Sequence, residues 1–140
     1  GVEVKFTASK QPRIKVSNER QLDAENLSEL FLILYSTEAV KDNGISLNSI
    51  VEQTRQKIST EEERSIFNTK LQLNGYFDED KEHYGRMYSL KRTFVFNVSS
   101  EFPKIIKGQL PLGIYDTSYS IEISAVENFI VDPATIFEKI

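Results

Sequence analysis

At the start of the chain, Val2, Val4 and Phe6 alternate with Glu3 and Lys5, the period-two pattern of a strand. One face of that strand is apolar, so Val2, Val4 and Phe6 are expected to enter a core. Residues 8–12 read as a loop and Arg13–Ser17 as a second short extended piece. Ser17 is placed to cap a short helix through Glu19, Gln21 and Leu22 to about Glu25. Leu30-Phe31-Leu32-Ile33-Leu34-Tyr35 is an unbroken apolar run bounded by polar residues. It suits a strand buried on both faces; a buried helix is the alternative that periodicity leaves open.

The period then changes. Asp42-Asn43-Gly44 marks a turn, and Ser46 caps a helix with Leu47, Ile50, Val51 and Ile58 on one stripe. Thr60-Glu61-Glu62-Glu63 opens a second helix with a capping box and acids at the positive end of its dipole. That helix runs through Ile66, Phe67 and Leu71 to Asn74-Gly75, a good stop. Residues 78–85 form a charged loop. Period two returns in Thr93–Val98, with Phe94, Phe96 and Val98 on one face, and in Tyr119–Ile123. Between them, Phe102-Pro103-Lys104-Ile105 and Leu110-Pro111-Leu112-Gly113 are turn-like. No repeat or low-complexity linker is present, and a soft boundary falls near residues 38–46.

Composition narrows the chemistry. The 140 residues are 39% hydrophobic with nine Phe and six Tyr, enough for a packed core. A formal charge of −4 gives no global basic field for nucleic acid. With no cysteine and one histidine, His83, the chain has no disulfide, thiolate nucleophile or multi-histidine metal site. No apolar run approaches the roughly 20 residues that span a bilayer. A reducing, cytoplasmic setting is expected.

Glu3 and Lys5 are the candidate chemistry. At i and i+2 they share a strand face, about 7 Å apart along the strand. A carboxylate holds a hard cation such as Mg²⁺, and a nearby ammonium stabilises the charge that develops when a phosphodiester is attacked. The pair alone is also a common surface pattern. Lys10, Arg13, Lys15 and Arg20 form a basic run beside it, suited to phosphate contacts or to plain solvation. The helix pair before a β segment has the order of a winged helix. Its second helix opens on three glutamates, however, so packing on a sheet is the expected role. His83 lies in a solvated acidic loop, and Tyr84, Tyr88, Tyr115 and Tyr119 read as sheet packing.

The stretches VEVK, RIKVSNERQLD, LFLILYS, FPKI and YSIEIS occur in that order. In them the chain resembles the C-terminal portion of a bacterial family known as "PD-(D/E)XK motif protein", within the restriction-endonuclease-like superfamily. Members tend to lie in restriction and phage-defence gene clusters. The resemblance implies an α/β fold: the second half of a restriction-endonuclease-like core in residues 1–40, then a mixed helical and β C-terminal region in residues 41–140. It implies that Glu3 is an acidic Mg²⁺ ligand joined by the Val4 carbonyl, that Lys5 is the catalytic lysine, and that Gln21 helps position the site. Lys10, Arg13, Lys15 and Arg20 would then contact DNA.

The motif's first aspartate belongs on a strand before Glu3, and only Gly1 and Val2 precede it here. The expectation is therefore a fragment, completed by a missing N-terminal half or a partner chain. Weak metal affinity alone and self-association through exposed apolar edge follow from that. The functional expectation is a Mg²⁺-dependent DNA endonuclease of a bacterial restriction or phage-defence system; the alternative is a non-catalytic binding or assembly module of a DNA-acting complex.

Overall fold

A computed structural model describes residues 1–139. The strands are β1 (Val2–Thr7), β2 (Arg13–Val16), β3 (Phe31–Val40), β4 (Ile45–Ser46), β5 (Met87–Asn97) and β6 (Tyr119–Glu122). The helices are α1 (Leu47–Lys57), α2 (Glu61–Leu73) and the short α3 (Ala134–Phe137). Four strands form one mixed sheet in the order β1-β3-β5-β4, and β2 pairs with β6 in a second. The chain is thus an α/β protein with a mixed sheet, consistent with an α/β nuclease-like fold. Two compact units are present, one joining Gly1–Glu38 to the chain from Leu90 onward, the other formed by Ala39–Ser89.

In the first unit, β3 is the apolar run, and it is buried on both sides as a strand. Leu32 and Leu34 enter the main core with Ile14, Val16, Phe94 and Phe96, while Phe31 and Ile33 enter a smaller cluster with Val95 and Ile136. The alternation of β5 is kept: Phe94, Phe96 and Val98 share the main core, with the Phe94 and Phe96 rings stacked at 5.9 Å. Full burial of a side chain such as Phe96 contributes about 1.5–3 kcal/mol.

β1 lies parallel to β3, with Glu3 beside Leu32, Val4 beside Ile33 and Lys5 beside Leu34. Register partners share a face, so Glu3 and Lys5 lie on the side of the main core. Val2, Val4 and Phe6 lie on the side of the smaller cluster, whose cover does not extend over them. Val4 is 55% and Phe6 57% exposed. The expectation that these three enter a core is corrected: it is the polar face of β1 that is half-buried. Residues 30–35, expected to expose apolar edge, are instead covered in the strand between β1 and β5: Leu30 to Leu34 are buried and Tyr35 is half-buried.

The segment after β2 is also corrected. Residues 18–22 form successive turns rather than a helix. The backbone closes i→i+3 turns, Gln21 N–H to the Asn18 carbonyl and Asp23 N–H to the Arg20 carbonyl, each at 3.3 Å, and side chains fix them: Asn18 Oδ1 accepts from the Arg20 N–H at 3.0 Å and Gln21 Oε1 from the Ser17 N–H at 2.8 Å.

The second unit follows its caps. Ser46 Oγ accepts from the Ser49 N–H and Thr60 Oγ1 from the Glu63 N–H, each at 3.2 Å. Of the α1 stripe only Val51 is buried; Leu47 and Ile50 are exposed, and α2 buries no side chain. The unit is held instead by Arg55, which donates to Glu52 at 2.7 Å, to both Asp78 oxygens at 2.9 Å and to Asn68 at 3.0 Å. The charged loop is ordered as 3₁₀ turns over Asp78–Tyr84, with Tyr84 stacked on Tyr76 at 4.8 Å. His83 is exposed beside Glu82.

Candidate active site

Glu3 and Lys5 project from the inner face of β1, and their side chains are 25% and 14% exposed. The strand's pleat brings them to one face, and folding over of the next turn closes them in. The Lys5 ammonium lies 3.1 Å from Glu3 Oε1 and donates to Gln21 Oε1 at 2.7 Å. Gln21 Oε1 also accepts the Ser17 N–H, so that oxygen is fixed from two directions. The structure thereby brings together Glu3, Lys5 and Gln21, three of the residues singled out in the sequence. The ammonium is held by one carboxylate and one neutral amide.

The basic residues lie nearby in the same unit. Arg13 and Lys15 point outward from β2, where Ile14 and Val16 point into the core. Arg13 lies 3.8 Å from Glu122 on β6. Lys10 and Arg20 are exposed in the flanking loops, Lys10 near Glu38.

Among the described residues no group of three or more His, Cys, Asp or Glu side chains could hold an ion. At the site itself Glu3 is the carboxylate, with the Val4 carbonyl on the same strand. A hard cation takes six or more oxygens and often more than one carboxylate. These residues alone do not fit Mg²⁺.

One buried acid was missed in the sequence. Glu19 is 2% exposed. Its carboxylate accepts the Asp116 N–H at 3.3 Å and the Thr117 N–H at 2.9 Å. Hydrogen bonds from its own amide, then from those of Thr117 and Asp116, hold its carboxyl below the usual range. It ties the turn carrying Gln21 to a loop almost a hundred residues away, and no local pattern signals such a partner.

A separate cleft of about 620 Å³ includes Asp23, Ala24, Val98, Phe102 and Lys104 in its lining, but none of Glu3, Lys5 and Gln21. Lys104 donates to the Ser99 carbonyl at 2.8 Å, and burial lowers the pKa of its ammonium. No helix of the described residues is long and apolar enough to cross a membrane.

A family model described as "Putative PD-(D/E)XK family member, (DUF4420)" matches residues 1–124. No curated protein and no solved structure matches the chain.

Proposed function

The chain belongs to this PD-(D/E)XK family, and from that premise we propose that it is part of a Mg²⁺-dependent DNA endonuclease of a bacterial restriction or phage-defence system. The observation that carries the reading is the placement of Lys5, a half-buried ammonium fixed between Glu3 and Gln21 on the motif strand. A phosphodiester under attack gathers negative charge, and a preorganised ammonium stabilises it without reorganising first. Glu3, with the Val4 carbonyl, is the proposed metal-ligating edge, Lys5 the catalytic residue and Gln21 its positioning residue. Lys10, Arg13, Lys15 and Arg20 are the proposed phosphate contacts.

The remaining metal-ligating oxygens come, in this reading, from a strand outside these 140 residues or from a partner chain. β1 stands at the end of the strand order, where a further strand pairs. Residues 1–40 are the proposed partial nuclease core and residues 41–140 the proposed C-terminal α+β region, although residues 1–38 pack in one unit with the chain from Leu90 onward. The exposed Val2, Val4 and Phe6 support self-association or partner docking. A cytoplasmic setting accords with the absence of cysteine.

Nicking of supercoiled plasmid across a Mg²⁺ or Mn²⁺ titration tests the assignment. It compares the 140-residue chain with a protein that also carries the second carboxylate. The completed protein cuts and the chain alone does not; Glu3→Gln raises the metal concentration needed, because an amide oxygen is the poorer ligand. Unchanged metal dependence in Glu3→Gln would remove Glu3 from the site. The single carboxylate favours a second reading, a non-catalytic DNA-binding or assembly module, and a completed protein that retains DNA but never nicks it would establish that one.

A further inference from the structure

Glu19 is the most buried charged side chain among the described residues, and its partners are backbone amides rather than a cation. A carboxylate is costly to bury unless it is hydrogen-bonded, so those amides dictate where Glu19 stands. Asp116 takes the left-handed conformation, φ +54°, in which successive N–H groups can converge on one anion. Asp116 donates to Oε1 of Glu19 and Thr117 to Oε2, one amide to each oxygen.

The clamp joins a firm segment to a slack one. Residues 116–117 lead into β6, where Tyr119 pairs with the buried Val16 and its hydroxyl accepts the Ile105 N–H at 3.0 Å. Residues 18–22, by contrast, lack the ladder of a helix. Their backbone closes only on two i→i+3 bonds of 3.3 Å, longer than usual. The buried anchors of that turn are Glu19 and Leu22, and Gln21 lies between them. Gln21 in turn accepts from Lys5, whose stem is flexible, so the ammonium stands where its partners hold it.

We infer that Glu19 is a positioning residue for Lys5: its carboxylate, seated on the Asp116 and Thr117 amides, fixes the turn from which Gln21 holds the ammonium. The consequence for cleavage rests on the nuclease reading given above. The placement of the turn does not. Loss of the clamp frees Gln21 Oε1 to leave Ser17 and Lys5, and a misplaced ammonium stabilises the transition state less.

Amide exchange on the 140-residue chain and nicking by the protein that completes the metal site test this together. Glu19→Gln keeps the size and one acceptor oxygen, but turns an NH₂ group toward one of the two amides. The Ser17 N–H, which reports the Gln21 bond, then exchanges about tenfold faster, the order of one lost bond to a charged group. Ser17 opens locally. A merely structural role would speed core amides such as Val98, which donates to the Leu30 carbonyl at 2.9 Å, and leave Ser17 unmoved. Gln21→Ala reads the same coupling from the other end without touching a buried group, and speeds exchange at the Thr117 N–H several-fold. In the completed protein Glu19→Gln lowers kcat about tenfold at unchanged KM, because the ammonium acts in the transition state. Unchanged exchange at Ser17 in the first variant, or at Thr117 in the second, overturns the positioning role and leaves the nuclease reading standing. A raised KM at unchanged kcat overturns it as well. A completed parent protein that never nicks overturns the nuclease reading, while the two amides still decide whether Glu19 holds the turn.

Discussion

Two ionic clusters, one in each compact unit, differ in how completely they are satisfied. In the second unit the Arg55 guanidinium meets two carboxylates and an amide, with the Asp78 contact bidentate. Asp78, followed by Glu52, raises the Arg55 pKa, and the Arg55 hydrogen bond is the largest cause holding both carboxyls below their ordinary values. In the first unit Lys5 meets one carboxylate and one neutral amide. A charge whose partners are complete holds structure together; one with hydrogens and field left over is available to a substrate. The Arg55 cluster is thus expected to serve stability, and the Lys5 cluster is the proposed site of chemistry.

The largest stability effect belongs to the core beneath both faces of β3. Phe94→Ala should cost about 3–5 kcal/mol by urea unfolding, because the ring is buried against Phe96. A loss below about 1 kcal/mol, the range of surface changes, would show that the face is wrongly assigned.

Arg55→Ala should cost about 1–2 kcal/mol. The guanidinium is mostly buried and bidentate, but its carboxylate partners are half-exposed and screened by solvent. DNA cleavage by the completed protein should survive it at temperatures where the variant stays folded. If cleavage falls with stability unchanged, the two clusters have been assigned the wrong way round.

Acid sharpens the comparison further. The depressed carboxyls of Glu52 and Asp78 contribute stability that is fully present above their ordinary values of 4.5 and 3.8. That contribution is lost as pH falls through their lower folded values. Unfolding free energies measured from pH 6 downward should therefore fall less steeply in Arg55→Ala than in the parent. Parallel curves would mean that Arg55 does not hold those carboxyls. Glu19 behaves with the same sign in the first unit, through backbone amides rather than a cation.

Much of this was written locally and could be read. The caps at Ser46 and Thr60 and the alternation of Phe94, Phe96 and Val98 are short-range patterns, and each appears in the fold. Glu3 and Lys5 share a face because the period of a strand demands it. Which face of β1 is covered was not legible, since alternation distinguishes two faces without saying what packs on either. The turns after β2 were illegible for a related reason. A helix there was the better local choice, but Gln21 folds back to Ser17 and Lys5, and Glu19 reaches Asp116 and Thr117. The first half of β5 and the one-turn α3 lacked any periodic signal long enough to read.

The most direct measurement is nicking of supercoiled plasmid by Lys5→Ala in a protein that completes the metal site, with unfolding free energy recorded on the same samples. Removing the ammonium should lower the cleavage rate by at least about 10²–10³-fold, the cost of losing one preorganised transition-state partner. Stability should fall by no more than about 1–3 kcal/mol, because Gln21 keeps its bond to Ser17 while the Glu3 carboxylate, 25% exposed, loses its partner. DNA affinity should change little. A Lys5→Ala protein that cuts as fast as its parent, or that loses activity only by unfolding, would contradict the assignment of this cluster to chemistry.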